Sequence, residues 1–423
     1  MVARRATVRD MRRSNRSVLL SKIYLDGPLS RQELTQITSL SAASVSTLVA
    51  EFLEEGLVEE AGSVESDGGR PRVLLRVAPG FGNVIGVDVG ETRVTVELFD
   101  MSMAALAKAD YPIERASLTP EKMIGHVLDG INAVQEQAPA PVNIDASILG
   151  IGIAVPGVVD QGEDGIVHAQ SLGWNAVALR AMLREGTRIP IHIDNGAKTL
   201  GQAEMWFGAG RGAQHAVIAL VGSGVGASVV AGGNSYRGAR SSAGEWGHTT
   251  IVYGGRLCRC GARGCLEAYV GAEGILDRYR EANRGRAADG IDEESALATI
   301  LAEAEDGTSR AAELVLSETA GYLGAGIATL VNLFNPERII LGGWAGLALG
   351  GRRLAEIHAV AAEHALKYPF EQVSIELCQL GPDAVALGAA TLPVAQLLAE
   401  GGVRRYVTQA RPRPGVPGRG RSS

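Results

Sequence analysis

A group of potential metal ligands stands in the middle of the sequence. Three of the four cysteines fall in the segment 258–265, at Cys258, Cys260 and Cys265, and His248 precedes them. In a chain without export features, cysteines are more often metal ligands or core residues than disulfide partners. Three thiolates and one imidazole suit tetrahedral Zn²⁺ in a closed structural site, although an unliganded reduced loop is the alternative. Cys378 stands apart in "VSIELCQL" and is expected to be a small buried residue.

A second segment with catalytic character is "IDNGAKTLGQAEMWFGAGRG", residues 193–212. It is typical of a strand that runs into a helix at an active site, yet Gly196 stands where a catalytic carboxylate is expected. The glycine loops "DVGETR" (88–93) and "GSGVG" (222–226) follow strand-like segments. Such loops can hold phosphates with backbone N–H groups. Glycine also simply allows a tight turn, so one loop alone is weak evidence.

The elements around these segments indicate an α/β protein. From Phe81 onward, apolar strands that end in glycine turns alternate with helical stretches such as "AELVLSETAGYLGAGIATLVNLF". A chain of 423 residues is too long for one core and is expected to form two or three domains. The net charge of -7 argues against an extensively basic surface but allows a small DNA-reading domain.

The sequence shows no targeting signal. No apolar run is expected to reach the length of a membrane span, and "SVLLSKIYLDG" is too short and too interrupted for a signal-peptide core. We therefore expect a cytoplasmic protein without a membrane partner. Residues 398–423, which end in "RPRPGVPGRGRSS", are rich in Arg, Pro and Gly and are predicted to form a disordered tail.

Residues 1–80 predict a winged helix-turn-helix domain. An arginine-rich start precedes three helical patterns, followed by a strand pair. The first runs from about Ser14 to Asp26, and the second starts at Ser30, whose spacing to Glu33 fits a capping box. The third helix has one apolar face and one small polar face that could approach base edges in a major groove. A three-helix protein-interaction module is the alternative. The predicted DNA contacts are Arg16, Ser41, Ala43, Ser44, Ser46 and Thr47, with Arg70 and Arg72 on the wing.

The order of the segments resembles the ROK family, which joins sugar kinases and sugar-responsive repressors. The resemblance rests on "DVGETR", "VPGVVD", "IDNGAKTLGQAEMWFGAG", "GSGVG", "AGEWGH", the cysteine cluster and "NPERIILGG". It implies a two-lobed actin/hexokinase-like (ribonuclease H-like) fold over residues 81–397, preceded by the winged helix of the repressor branch. It also implies that His248, Cys258, Cys260 and Cys265 form a structural zinc site.

The resemblance further implies that the machinery for phosphotransfer is degraded. The first loop of the kinases reads Asp-x-Gly-Gly-Thr-Lys, and here Glu91 replaces a glycine and adds a negative charge beside the phosphates. The kinases' general base falls on Gly196, so no catalytic residue is predicted. Asp194, two positions earlier, is the alternative, but it need not point into the same cleft. Loss of a positioned base costs about 10²–10⁴-fold in rate. The retained phosphate-loop positions are Asp88, Gly90, Thr92, Gly222, Gly224 and Gly226.

By the same resemblance, the sugar contacts are Asn195, Glu245, His248 and Glu267. Amides and carboxylates form paired hydrogen bonds with adjacent sugar hydroxyls. One ring nitrogen of His248 can bind zinc while the other meets a hydroxyl, so that the metal orients it. The alternative for the two glutamates is that they are solvated loop carboxylates.

The combined pattern predicts a zinc-containing, sugar-responsive transcriptional regulator, most simply a repressor. It would bind operator DNA as a homodimer or homotetramer, and a kinase-like domain would sense a sugar or sugar derivative. The alternative is an active ATP-dependent sugar kinase, similar to a glucokinase, with a fused DNA-binding domain. A scaffold without a ligand is a third possibility.

Overall fold

The structure is a computed structural model that describes residues 7–66, 69–113, 119–139, 147–285 and 292–403. The predicted tail from residue 404 onward and the first six residues lie outside this range. The described elements form an N-terminal unit and two α/β lobes.

The N-terminal unit contains three helices and a small antiparallel sheet of strand order β1-β3-β2. Side-chain caps begin the helices, and Ser30 forms with Glu33 the capping box that the sequence predicted. Val45, Leu48, Val49 and Phe52 form the buried face of the third helix. The elements are α1 (Val8–Asp26), β1 (Leu29–Ser30), α2 (Arg31–Thr38), α3 (Ala42–Glu54), β2 (Val58–Ser66) and β3 (Gly69–Val77).

The first helix begins earlier than the sequence predicted. It starts at Val8 rather than near Ser14, because Thr7 and Asp10 form a capping box. The arginines of residues 9–16 therefore lie on this helix and not before it. Arg12 forms an ion pair with Glu51 of α3.

The first lobe contains a five-stranded sheet of order β11-β7-β4-β5-β6. Its first two strands after the N-terminal unit form the strand-turn-strand pair expected around "DVGETR". The residues between β7 and β11 form a three-stranded sheet of order β10-β9-β8. The elements are β4 (Asn83–Val89), β5 (Arg93–Asp100), β6 (Ala105–Pro112), α4 (Pro120–Gln137), β7 (Ile148–Val155), β8 (Val158–Val159), β9 (Ile166–Ala169), β10 (Trp174–Ala178), α5 (Leu179–Leu183), β11 (Ile191–Asn195) and α6 (Gly196–Phe207).

The second lobe contains a five-stranded sheet of order β14-β13-β12-β15-β16, covered by helices. Its elements are β12 (Ala216–Val221), β13 (Val225–Ala231), β14 (Asn234–Ser235), α7 (Glu267–Val270), α8 (Ala272–Ala282), α9 (Glu293–Glu305), α10 (Arg310–Phe334), β15 (Arg338–Gly342), α11 (Trp344–His364), α12 (Lys367–Phe370) and β16 (Ser374–Leu377). A last helix, α13 (Ala384–Ala399), returns to the first lobe. A Cβ at Gly152 of β7 would lie 1.7 Å from the carbonyl oxygen of Ala389, so glycine is required for this close packing.

Helix α10 differs from the expectation that no apolar run would reach the length of a membrane span. The length and composition of this helix alone would allow it to cross a membrane. However, 61% of its most apolar 18-residue stretch is buried inside the protein. It packs in the core of the second lobe. Burial in a protein core selects the same apolar composition as a membrane, which explains the difference.

The N-terminal unit and the first lobe share one hydrophobic core. Leu20 and Phe52 of the unit belong to the same buried cluster as Phe99 of β5 and Leu397 of α13. The chain remains ordered beyond the predicted tail boundary at residue 398, because α13 continues to Ala399 and Glu400 is only 5% exposed.

Candidate functional site

A cleft of about 420 Å³ contains the predicted sugar and phosphate positions. It is lined by residues from the first lobe, including Asp88 and Asn195, and from the second lobe, including Glu245 and Glu267. All the sequence-predicted positions of both kinds line this one cleft: Asp88, Gly90, Thr92, Asn195, Gly222, Gly224, Gly226, Glu245, His248 and Glu267. The structure thus brings together groups that are up to 179 positions apart in the chain, from Asp88 to Glu267.

Asn195 ends β11 and caps α6. Its Oδ1 accepts hydrogen bonds from the backbone N–H groups of Ala197, at 2.9 Å, and Lys198, at 3.2 Å. Its Nδ2 donates to the carbonyl oxygen of Gly157 at 2.7 Å. The side chain is therefore held in a fixed orientation at the cleft, as a positioned amide requires.

Gly196 lines the cleft at the first position of α6. A Cβ at this position would have Val385 Cγ1 at 3.8 Å as its nearest neighbour, which is ordinary contact. The backbone thus leaves room for a first side-chain carbon at this site. Because glycine has no side chain, this position supplies no proton acceptor to a sugar hydroxyl.

Asp194 does not replace the missing carboxylate in this structure. It is not among the residues that line the cleft, and its side chain is only 4% exposed. Arg237 binds both carboxylate oxygens, with 3.1 Å between Nη1 and Oδ1. Because both oxygens of this carboxylate already accept hydrogen bonds from an arginine, the side chain is not free to reach a sugar hydroxyl as a base.

Arg259 connects the two lobes at the phosphate loops. Its guanidinium forms an ion pair with Glu91 of the first loop and a second, at 3.0 Å, with Glu267 of the second lobe. Glu267 also accepts a hydrogen bond from the backbone N–H of Val225 at 2.9 Å. We call Glu91, Arg259 and Glu267 the Arg259 bridge.

Burial and charge set different protonation preferences for the cleft carboxyl groups. Burial raises the pKa of Asp88 to about 7 and also raises the pKa of Glu245. Burial acts in the same direction on Glu267, but Arg259 outweighs it and holds the pKa of Glu267 below its usual value. Glu267 is therefore charged at neutral pH and serves as a hydrogen-bond acceptor.

His248, Cys258, Cys260 and Cys265 bring four ligand atoms within 4.8 Å of one another. The Cys260 and Cys265 sulfurs are 3.7 Å apart, as are the Cys258 sulfur and His248 Nδ1. A tetrahedral zinc site with metal–sulfur bonds of about 2.3 Å has sulfur–sulfur edges of about 3.8 Å, so the group fits such a metal. Nδ1 is the His248 atom in the cluster contact, which leaves Nε2 for a second partner. A Cβ at Gly264 would lie 1.7 Å from the Val252 carbonyl oxygen, so this loop requires glycine.

The predicted DNA-facing residues of α3 form a small exposed surface. Ser41, Ala43, Ser46 and Thr47 are exposed, and Ser44 is half-buried. Ser41 caps the helix by accepting a hydrogen bond from the Ser44 N–H at 3.1 Å. On the strand pair β2–β3, Arg72 is half-buried, while Arg70 lies on β3 with a side chain outside the described atoms.

Arg16 is wrong as a predicted DNA contact. It is only 9% exposed, and its guanidinium binds Glu51 of α3 at 2.9 Å and Glu55, directly after that helix, at 2.6 Å. Its Nε donates to the carbonyl oxygen of Gly401 at 2.9 Å, and its guanidinium lies 4.6 Å from the Phe52 ring centre. The side chain therefore fastens α1 to α3 and to the end of α13.

Several side chains at the candidate site are not indicated by the sequence pattern. Arg237 and Lys198 fix the strand end and helix at the sugar position: Arg237 pairs with Asp194, and Lys198 binds the Ser241 carbonyl oxygen. Arg259 stands between two predicted metal ligands, a position that could have drawn notice, but its pairing with Glu91 has no local sequence signal. Cys378 is buried as expected and donates to Glu204 at 2.7 Å.

Comparison with known proteins identifies the family. The profile of the ROK family matches residues 84–396. A xylose repressor of Caldicellulosiruptor bescii is 30% identical over 394 residues, which cover 92% of this chain and 97% of the repressor. A glucokinase of Halalkalibacterium halodurans is 32% identical over 317 residues, which cover 73% of this chain and 94% of the enzyme.

One crystal structure covers the N-terminal unit as well as the lobes. It is that of a ROK family transcriptional regulator described as a homologue of the Escherichia coli MLC protein. The two chains superpose with a TM-score of 0.73 at 25% identity, over 93% of this chain and 98% of the regulator. The fold, the ordered motifs and these matches lead to one conclusion: the chain belongs to the ROK family.

Proposed function

We propose that this protein is a sugar-responsive transcriptional repressor whose kinase-like domain binds a sugar without phosphorylating it. The observation that carries the proposal is the selective composition of the cleft. Glu245, His248 and Glu267 remain as sugar partners, whereas Gly196 stands at the position of the base and Asp194 is held by Arg237. Regulators among the relatives support the same function.

Sugar binding uses side chains that the fold already holds in place. Asn195 is fixed by three hydrogen bonds, and Glu267 is fixed by Arg259 and the Val225 N–H. Fixed acceptors and donors reduce the ordering cost of binding a hydroxylated ligand. Glu245 is half-buried, also lines the cleft and adds a further carboxyl group.

The metal in this proposal is structural Zn²⁺, held by His248, Cys258, Cys260 and Cys265. When bound, the zinc would crosslink the loop 258–265 to His248 and would supply no chemistry on the sugar. His248 then offers Nε2 to a sugar hydroxyl with a fixed ring orientation. Cys258 also lies 3.6 Å from Glu267 Oε1, so the same loop supports the second sugar carboxylate.

The DNA partner would be read by the N-terminal unit. The exposed small residues of α3, including Ser46 and Thr47, allow close approach to base edges in a major groove. Arg72 and Arg70 on the β2–β3 pair would contact phosphates or the minor groove. A homodimer or homotetramer would match the symmetry of an operator, and the cytoplasm is the compartment in which it would act.

A physical connection joins the sugar position to the DNA-reading unit. Helix α6 begins at the Asn195 cap in the cleft and ends at Trp206 and Phe207. Both rings pack edge-on against Tyr24 of α1, with ring centres 5.9 and 6.2 Å apart. A movement of α6 caused by the sugar would therefore shift these ring contacts and change the position of α1.

The test of this function combines DNA binding and sugar chemistry in one sample. Operator duplexes are first selected by the purified protein from a random pool. Their affinity is then measured with a panel of sugars in the presence of ATP and Mg²⁺, and the recovered sugar is analysed by mass spectrometry. Sugar-dependent release with unmodified sugar supports the proposal; equal affinity for selected and random DNA contradicts it.

A further inference from the structure

Charged side chains of the protein itself lie beside the second glycine loop of the cleft. Arg259 lies so close to the second loop that a Cβ at Gly224 would be 2.7 Å from its Nη2 and 3.5 Å from Glu91 Oε1. Glu91, Arg259 and Glu267 are 14%, 23% and 7% exposed as side chains. The Arg259 bridge thus occupies the space next to the loop backbone with one guanidinium held between two carboxylates.

We propose that the Arg259 bridge makes the cleft selective for an uncharged sugar and excludes phosphorylated sugars and nucleotides. This inference rests on the proposed sensor function and specifies its ligand class. The residues that determine the selectivity are Glu91 and Arg259, which lie outside the predicted sugar contacts.

The first supporting argument is the charge of the cleft. Its lining carries five carboxyl groups, Asp88, Glu91, Glu245, Glu267 and Glu294, and two guanidinium groups, Arg93 and Arg259. Both guanidinium groups are already paired, because Arg93 binds Glu294 at 3.2 Å and Arg259 binds Glu91 and Glu267. An incoming phosphate would have to displace a carboxylate from an arginine or stand beside unpaired negative charge.

The second argument is the direction in which a phosphate would point. In a kinase-like cleft, the transferred phosphoryl group moves from the nucleotide loops to the sugar hydroxyl, so a sugar phosphate places its phosphate toward those loops. Here that direction leads to Glu91 and to the loop at Gly224, which Arg259 covers. An uncharged sugar that stops at Asn195, Glu245 and His248 leaves the bridge intact, and Glu267 retains its hydrogen bonds from Arg259 and Val225.

The third argument concerns the backbone groups that normally attract phosphate. The N–H of Val225, at the end of the second glycine loop, donates to Glu267 Oε2. The hydroxyl of Ser223 in the same loop donates to Glu293 of α9. These donors already serve protein carboxylates, so the loop offers an anion fewer free partners than a phosphate-binding loop does.

The test compares ligand classes on the full-length wild-type protein, Glu91→Gln and Glu281→Gln. Glu281 forms an ion pair with Arg256 in the same lobe outside the cleft and is 63% exposed, so its variant is the matched control. The probes are glucose, N-acetylglucosamine, their 6-phosphates and Mg²⁺–AMPPNP, measured by titration calorimetry. Glu91→Gln keeps the size of the side chain and removes the charge.

The wild-type protein is expected to bind an uncharged sugar at least about tenfold more tightly than its 6-phosphate. It should not bind AMPPNP with a Kd of about 1 mM or lower, since a Kd of about 1 mM is already a weak affinity. Glu91→Gln should reduce the ratio between the affinities for a sugar and its 6-phosphate by about tenfold, or it should give measurable AMPPNP binding. Without the Glu91 charge, the Arg259 guanidinium can pair with a phosphate. Glu281→Gln should behave as the wild type.

A 6-phosphate that binds the wild type as tightly as its parent sugar overturns the inference while leaving the sensor function in place. Tight AMPPNP binding by the wild type overturns it as well, as does an unchanged phosphate and nucleotide profile in Glu91→Gln. If no sugar of either class binds, the sensor function fails; the AMPPNP titrations of wild type and Glu91→Gln still decide whether the bridge excludes phosphate.

Discussion

The contact of Tyr24 with Trp206 and Phe207 should carry the sugar signal to the DNA-binding unit. Each edge-on ring pair contributes about 0.5–1.5 kcal/mol beyond its buried area, so the two pairs together contribute about 1–3 kcal/mol. This equals the size of a typical coupling free energy, which changes affinity by about 5–150-fold. Removal of the ring in Tyr24→Ala should therefore abolish most of the sugar-dependent change in operator affinity.

The matched control for this variant is Tyr24→Phe. The Tyr24 hydroxyl is buried without a hydrogen-bond partner among the described residues, so Tyr24→Phe keeps both ring contacts and loses no hydrogen bond. Operator affinity is measured by fluorescence anisotropy with and without sugar, and thermal unfolding confirms that each variant is folded. A folded Tyr24→Ala protein that retains the full sugar-dependent change would refute the proposed connection.

Four further outcomes follow from individual side chains. Gly196→Asp should fold, because the nearest atom to the new Cβ is 3.8 Å away. It should show almost no ADP release with sugars in a coupled assay, because Glu91 and Arg259 still lie paired beside the phosphate loops. Cys260→Ser should lower the zinc content from about one ion per chain, by mass spectrometry of metals, and lower the melting temperature. Arg16→Ala should lower the free energy of unfolding by about 1–3 kcal/mol in denaturant titrations, because Glu51 and the Gly401 carbonyl lose this partner. The slope of DNA-binding affinity against salt concentration should stay the same. Arg72→Ala should leave stability nearly unchanged and reduce that slope by about one unit.

Local patterns in the sequence were sufficient for much of the fold. The capping box of Ser30 and Glu33, the apolar period of α3 and the glycine turn between β4 and β5 all depend on neighbouring residues, and the structure contains each of them. The motifs that carry the family resemblance lie along one cleft in the structure.

Contacts between distant residues were not predictable in the same way. The arginine-rich segment suggests that Arg16 contacts DNA, but Glu51 of α3 and Glu55, which follows the helix, form ion pairs with it. The Arg259 bridge joins residues 168 positions apart, and Asp194 is removed from the cleft by Arg237, 43 positions away. Such pairings depend on the tertiary fold and leave no periodic or local signal.

The most direct test of the central claim is operator affinity measured with and without a bound sugar while ATP and Mg²⁺ are present, with the sugar recovered and analysed from the same sample. Wild-type protein should lose operator affinity by about 5–150-fold when sugar binds, Glu245→Ala should keep operator affinity but lose this response, and the sugar should be recovered without phosphate. Recovery of phosphorylated sugar at a rate near one turnover per second, on the order of ordinary enzymes, or operator affinity that does not change with a sugar that binds, would contradict the account.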